Sequence, residues 1–284
     1  MNIHEEQMNL LGRLVSAAHD SEVFNFVVRQ AIGILTSLGI DYESAEKLIR
    51  DTFAETNFDG LGLAQIEREI HHQLKKMGAY KNLEDRMLLR ANATGRIIID
   101  HLMLNGDFDA TSGAEILDLG GGTGEIASWL QKRTMHKAAI ADPLECYKDK
   151  TLTFLPVVDN KVKAPEGAFE NVLLLMAAHH SDDPEATITE AFRLSRDRVI
   201  IIESVTNSWF MYRYTCWIDW FYNHVIHYAE DIKKKVNVPC NFRSAGDWQQ
   251  LIWKLTGEEP ILSQELGIFQ VLNPEWHHLF VYGK

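Results

Sequence analysis

The chain is poor in cysteine: 284 residues hold only Cys146, Cys216 and Cys240. They are odd in number, far apart and without a C-x-x-C pair. That argues against a disulfide framework and a cysteine zinc site and fits a reducing compartment. Proline is missing from the first 142 residues, and all seven prolines lie at or beyond Pro143. Unbroken helices are therefore permitted throughout the first half. No apolar run reaches the ~18–20 residues that a helical membrane crossing needs. The opening "MNIHEEQMNL" carries acid where a secretory leader carries basic charge. Basic residues are outnumbered, 28 against 40 acidic, for a net charge of -12. A nucleic-acid backbone is a poor partner for such a chain. The longest like-charge run, Lys233-Lys234-Lys235, reads as a solvated turn. These absences predict a cytoplasmic protein, and 46% hydrophobic residues suffice for a sizeable core.

What is present falls into two textures. "NLLGRLVSAA", "EVFNFVVRQAIGILTSLG", "YESAEKLIRDTFAE", "LAQIEREIHHQLKKMG" and "LEDRMLLRANATGRIIIDHLML" space apolar residues at helical intervals. Ser21 is a candidate cap for the second, with Gly39 and Gly78 as C-terminal stops. Residues 1–106 are thus expected to be an all-helical part. From residue 107 short apolar runs take over: "AEILDLG", "KAAIAD", "LTFLPVVD", "ENVLLLMAA" and "DRVIIIESV". The helix-like "EIASWLQKR" and "DPEATITEAFRLS" separate several of them. Strands alternating with helices predict an α/β fold with a mostly parallel sheet covered on both faces. After an aromatic segment at 206–238 and a helix at "SAGDWQQLIWKL", the runs "IFQVL" and "EWHHLFVYGK" are expected to pair through a turn at Asn273-Pro274.

The stretch "AEILDLGGGTGEIASWL" runs from a strand through four glycines into a helix. Two frames fit it. One is D-x-G-x-G-x-G over Asp118, Gly120, Gly122 and Gly124. The other is G-x-G-x-x-A over Gly122, Gly124 and Ala127, a dinucleotide fingerprint with Asp142 twenty residues on. Charge separates them. A pyrophosphate at the helix N-terminus would be repelled by a carboxylate at the end of the strand. Asp118 suits a ligand with positive groups and no phosphate, such as S-adenosylmethionine, with Asp142 on the ribose hydroxyls. A bare structural turn and an NAD(P)-dependent oxidoreductase are the rivals.

"ILDLGGGTG", "AIAD", "FENVLLLMAAHHSDDPEATITEAFRLS" and "DRVIIIES" together resemble class I S-adenosylmethionine-dependent methyltransferases of the small-molecule type. The resemblance covers residues 107–284 less the aromatic segment. It implies a Rossmann-like doubly wound sheet closed by an antiparallel hairpin. It also implies Asp118, Gly120, Gly122 and Gly124 around the methionyl part and Asp142 on the ribose. Asp159 is expected near the adenine amine, with a polar turn as its alternative, and Met176 and Ala177 beside the cofactor. Pro156 departs from the pattern and makes the third strand an edge or bulged one.

Methyl transfer asks the protein to hold donor and acceptor in line, and a hydroxyl acceptor gains from a base. His179 and His180, at the end of the fourth strand of that resemblance, are candidates. Alternatively they only open the helix that Asp183 caps and Pro184 starts. Between Trp209 and Tyr228, nine of twenty residues are Phe, Trp or Tyr. Trp209, Tyr212, Arg213, Trp217, Trp220 and Phe221 are candidates for holding an aromatic or apolar acceptor, and His224 and His227 are alternative bases. The competing expectation is an aromatic stripe packed as core. Glu69-x-x-His72 lacks the second such motif of a di-iron bundle, and His277 and His278 point to opposite strand faces. No metal is expected. The reading is a methyltransferase acting on a small molecule, with oxygen as the expected acceptor atom, nitrogen, carbon and sulfur still open, and N-terminal helices that supply a lid, a homodimer contact or both. A protein that binds the donor without transfer is the third possibility.

Overall fold

The structure is a computed structural model, and it describes residues 21–54, 60–103, 115–134, 136–227 and 236–284. The helix expected at 9–18, Tyr228, the lysine run and the boundary at 106/107 lie outside the described residues. The chain divides into two compact units. One comprises 1–86, 206–242 and 268–275, and the other 87–205, 243–267 and 276–284.

The helical unit contains α1 (Ser21–Ser37), α2 (Tyr42–Ala54), α3 (Gly60–Met77) and the start of α4 (Tyr80–Met103). Gly39 and Gly78 end α1 and α3 with φ of 88° and 68°, the left-handed geometry that glycine adopts without Cβ strain. Ser21 is itself helical rather than a cap. The aromatic segment folds as α7 (Trp209–Trp220) and continues as a π-helical stretch, Phe221–His227. Its rings pack on α1 and α2. Phe26 meets Phe210 at 5.5 Å and Tyr214 at 4.9 Å between centroids, and Phe53 meets Trp217 at 5.9 Å. The segment therefore belongs with the N-terminal helices, not with the 107–284 part to which the sequence assigned it. Its rings add to a core that Val27, Leu35, Ile49 and Ile70 of the N-terminal helices already build.

The sheet unit carries β1 (Glu115–Leu119), α5 (Glu125–Thr134), β2 (Lys137–Asp142), β3 (Thr153–Val158), β4 (Lys161–Val162) and β5 (Phe169–Leu175). After them come a 3-10 turn (Ala178–His180), α6 (Pro184–Leu194), β6 (Ser195–Ser204), α8 (Ala245–Thr256), β7 (Leu262–Gly267) and β8 (His277–Gly283). The strand order is β4-β3-β2-β1-β5-β6-β8-β7. β1, β2, β3, β5 and β6 are parallel, and β8 and β7 close the sheet antiparallel. One face packs Leu117, Val172 and Ile201 against Ile188, Phe192, Trp248 and Ile252. On the other, Ile140 packs with Ala127 and Leu152. This is the doubly wound architecture that the apolar runs predict. Asp183 caps α6 through the Ala186 N–H, with Pro184 in the first turn.

The final hairpin departs from expectation. Its first strand is Leu262–Gly267, not "IFQVL" at 268–272. Gly267 at φ 64° ends the strand, and Ile268 and Val271 are exposed, so the apolar run has no sheet face to bury. β3 is covered only by the two-residue β4, which pairs with Val157 and Val158 and leaves the outer edge open at Pro156.

Candidate functional site

The chain reverses its strand order at β1, which has β2 on one side and β5 on the other. In open parallel sheets that switch point makes a crevice at the C-terminal strand ends. The glycine loop sits there. Gly120 N–H donates to Ala141 O at 2.7 Å, and Gly124 N–H to Gly121 O at 2.9 Å. Gly120, Gly122 and Gly124 have φ of 78°, 53° and 79°. A Cβ on Gly120 would stand 2.6 Å from the Ala177 Cβ, and one on Gly124 2.5 Å from Ile140 Cδ1. The glycines thus seat the loop on the strand ends as well as turning it.

Carboxylates surround this loop. Asp118 is buried beneath it, and Asp142 ends β2. The Asp142 Oδ2 accepts from Gly122 N–H at 3.0 Å and Oδ1 from Leu144 N–H at 2.8 Å. Glu125 opens α5, bonded by the Thr123 hydroxyl and paired with Lys148 at 3.4 Å. Burial, reinforced by Asp142, pushes Asp118 up to about 7, against the nearby Arg90 charge. Burial also raises Asp142, opposed by its two backbone donors. A pyrophosphate would meet three acids here, so the dinucleotide frame fails on charge. The donor set fits S-adenosylmethionine instead: acceptors for an ammonium and for ribose hydroxyls, and a cation, Arg90, for a carboxylate.

The turn after β5 completes the site. Met176 has φ 53°, its N–H donates to Ile202 O at 2.7 Å, and its sulfur lies 3.8 Å from Arg90 Nη2. Glu203, near the end of β6, fixes the following residues. Its Oε1 accepts from Ala177 N–H at 3.2 Å and Ala178 N–H at 2.8 Å, and its Oε2 lies 2.6 Å from His179 Nδ1. Both side chains are fully buried. Burial pushes Glu203 up to about 7 and His179 down to about 3. His180 is partly exposed, its ring 4.1 Å from that of His179.

A family model for a methyltransferase domain matches residues 65–255, more than half of the chain. The chain belongs to the class I S-adenosylmethionine-dependent methyltransferases. Among solved structures the methyltransferase is similar to a SAM-dependent methyltransferase from Aquifex aeolicus. Identity is 16%, coverage 63% of this chain and 87% of that one, and the TM-score 0.43. It is also similar to the YcgJ protein from Bacillus subtilis, at 12% identity, 60% and 92% coverage and a TM-score of 0.44. No curated protein matches its sequence.

In the methyltransferase, Asp118, the glycines, Asp142, Met176, Ala177, His179 and His180 all stand at the C-terminal strand ends of the sheet unit. Asp159 is exposed at the tip of the β3–β4 hairpin, where it and Asn160 have φ of 50° and 57°. Two positive φ values make a hairpin turn that Asp and Asn tolerate, which is the polar-turn alternative for this position. Trp217, Trp220 and Phe221 are buried among the aromatics of the helical unit. Trp209 is exposed with Arg213 stacked 3.7 Å above its ring, and Tyr212 donates to Cys240 O at 3.2 Å. His224 spends both ring nitrogens, on Glu67 and on Val236 O, each at 3.0 Å. That leaves it no nitrogen to act as a base. His227 stacks on Tyr222 at 5.3 Å.

Arg90 and Glu203 were missed by the sequence reading. Each had a signal. Arg90 falls on the α4 stripe of Met87, Ala91, Thr94 and Ile98, all buried. Glu203 interrupts the run "VIIIES" at a strand end.

Proposed function

We propose that the methyltransferase methylates a hydroxyl oxygen of a small molecule, with His179 as the base. The observation that carries this reading is the buried His179–Glu203 pair at the end of β5, beside the glycine loop. An imidazole whose Nδ1 faces a carboxylate keeps Nε2 as its proton-accepting atom, the arrangement general base catalysis needs. The net charge of -12 disfavours a nucleic acid as acceptor.

Bound S-adenosylmethionine supplies a methyl carbon activated by its sulfonium. In this reading Asp142 holds the ribose hydroxyls, while Asp118 and Arg90 hold the ammonium and carboxylate of the methionyl part. Met176 and Ala177 flank the donor. His179 Nε2 takes the acceptor's proton as the acceptor oxygen is methylated, and the Nδ1 proton passes to Glu203 Oε2, so the ring stays neutral. A homodimer through the helical unit belongs to the same reading, and sedimentation equilibrium tests it.

A panel of phenols and alcohols, matched with amines and thiols, tests the chemistry with donor labelled in the methyl group. The expected product is a methyl ether, formed at a rate that His179→Gln lowers about 10²–10⁴-fold. Methylation of nitrogen or carbon alone, indifferent to His179→Gln, would sink the O-methylation reading.

A further inference from the structure

We infer that Glu203 is a positioning residue whose own protonation sets the tautomer of His179, and so switches the histidine between accepting and donating a proton. The inference rests on the reading of His179 as the base and adds a control to it.

The geometry leaves the pair few choices. Glu203 Oε1 faces the Ala177 and Ala178 N–H groups. These are fixed donors, so Oε1 can only accept. Any proton on Glu203 must therefore sit on Oε2, which faces His179 Nδ1 at 2.6 Å. With Oε2 ionised, Nδ1 carries the proton and Nε2 presents a lone pair. With Oε2 protonated, its O–H donates to Nδ1 and the ring proton moves to Nε2, which can then no longer accept. One proton on one buried oxygen turns the base off.

The titratable groups facing Glu203 within its unit are few among the described residues. His179 and His180 come from the turn, where the preceding residues Ala177 and Ala178 bring no charge. His278 stands opposite Glu203 in the β6–β8 ladder, and Glu265 of β7 stands opposite His278 in turn. On the other side, β5 ends in Leu174 and Leu175. Burial disfavours the carboxylate and outweighs the Ala178 N–H, a charge on His180 and the Ala177 and Ser204 N–H groups, placing its titration at about 7. Burial keeps the His179 ring neutral, so a proton added to the pair resides on Glu203. The base is therefore present above neutrality and lost as pH falls.

The test is ¹⁵N NMR of the His179 ring in the full-length protein at pH 6 and pH 8, with His179→Gln to assign the signals. In the wild type Nε2 should change from a protonated to an unprotonated resonance as pH rises. Glu203→Gln keeps an oxygen for the two N–H groups but places an NH₂ against Nδ1. It should hold Nε2 protonated at both pH values, lower kcat roughly 100-fold or more, and leave KM for the donor within about threefold. An Nε2 signal that is the same at both pH values in the wild type would overturn the inference, and that measurement needs no variant. An unprotonated Nε2 in Glu203→Gln would overturn it too. A tautomer change as predicted, together with transfer indifferent to His179→Gln, would support the role of Glu203 and reject the base.

Discussion

With the ligand ammonium against Asp118, as proposed, cofactor binding depends on pH. Asp118 is 2% exposed, and burial and Asp142 together lift it from 3.8 to about 7. That rise is worth roughly 4 kcal/mol against the charged form, at ~1.4 kcal/mol per tenfold change. Between pH 4 and 7 the folded, ligand-free protein holds a proton here that the unfolded chain has lost. Stability therefore falls as pH rises through this window. A ligand ammonium nearby favours the carboxylate, so binding below pH 7 must expel that proton. Titration calorimetry with S-adenosylhomocysteine, in two buffers of different ionisation enthalpy, reads the release directly. The expectation is about one proton released at pH 6 and close to none at pH 8. Kd should fall about tenfold per pH unit up to 7 and level off above it. Asp118→Asn should abolish the pH slope, weaken binding at pH 8 and stabilise the ligand-free protein at pH 8. Equal Kd and no proton release from pH 6 to 8 would refute the placement of the ammonium against Asp118.

Three further outcomes follow from packing and charge. Gly95 lies on α4 against the Trp129 ring, where an added Cβ would overlap it. Gly95→Ala should lower stability by about 1–3 kcal/mol in urea unfolding, although alanine is the better helix former by ~1 kcal/mol. Gly120→Ala meets both a φ of 78° and the Ala177 Cβ. Donor affinity should fall at least about tenfold, and Ala177→Gly should restore only the part due to the clash, because the backbone strain of ~1–2 kcal/mol stays. Glu190 is buried and bonded by Arg193, Lys161 and the Val162 N–H, and it is held down to about 2. Its contribution is present above pH 4.5 and lost as pH falls toward 2. Glu190→Gln should therefore flatten the acid limb of the thermal stability curve.

The sheet was legible because its parallel strands are buried on both faces and read as unbroken apolar runs. β1, β2, β5 and β6 all announce themselves this way. The loop chemistry was legible too, since Asp118 and Asp142 fall at strand ends where charge has few reasons to be. β7 was hidden because it is an edge strand, largely exposed, with the polar sequence "LSQELG". The aromatic segment was ambiguous for a different reason. Rings that grip a ligand and rings that fill a core have the same spacing, and only Phe26 and Phe53 decide between them. Arg90 and Glu203 meet Met176 and His179 across distant segments, so neither has a local motif. The exposed place of Asp159 follows from a hairpin with the two-residue β4, too short to read as a strand.

The most direct test is a crystal structure of the full chain with S-adenosylhomocysteine. The ligand should lie against Gly120–Gly124, with its ribose hydroxyls on Asp142 and its amino-acid part beside Asp118 and Arg90. A ligand bound elsewhere, or one whose ribose leaves Asp142 bonded only to Gly122 and Leu144, would contradict that placement.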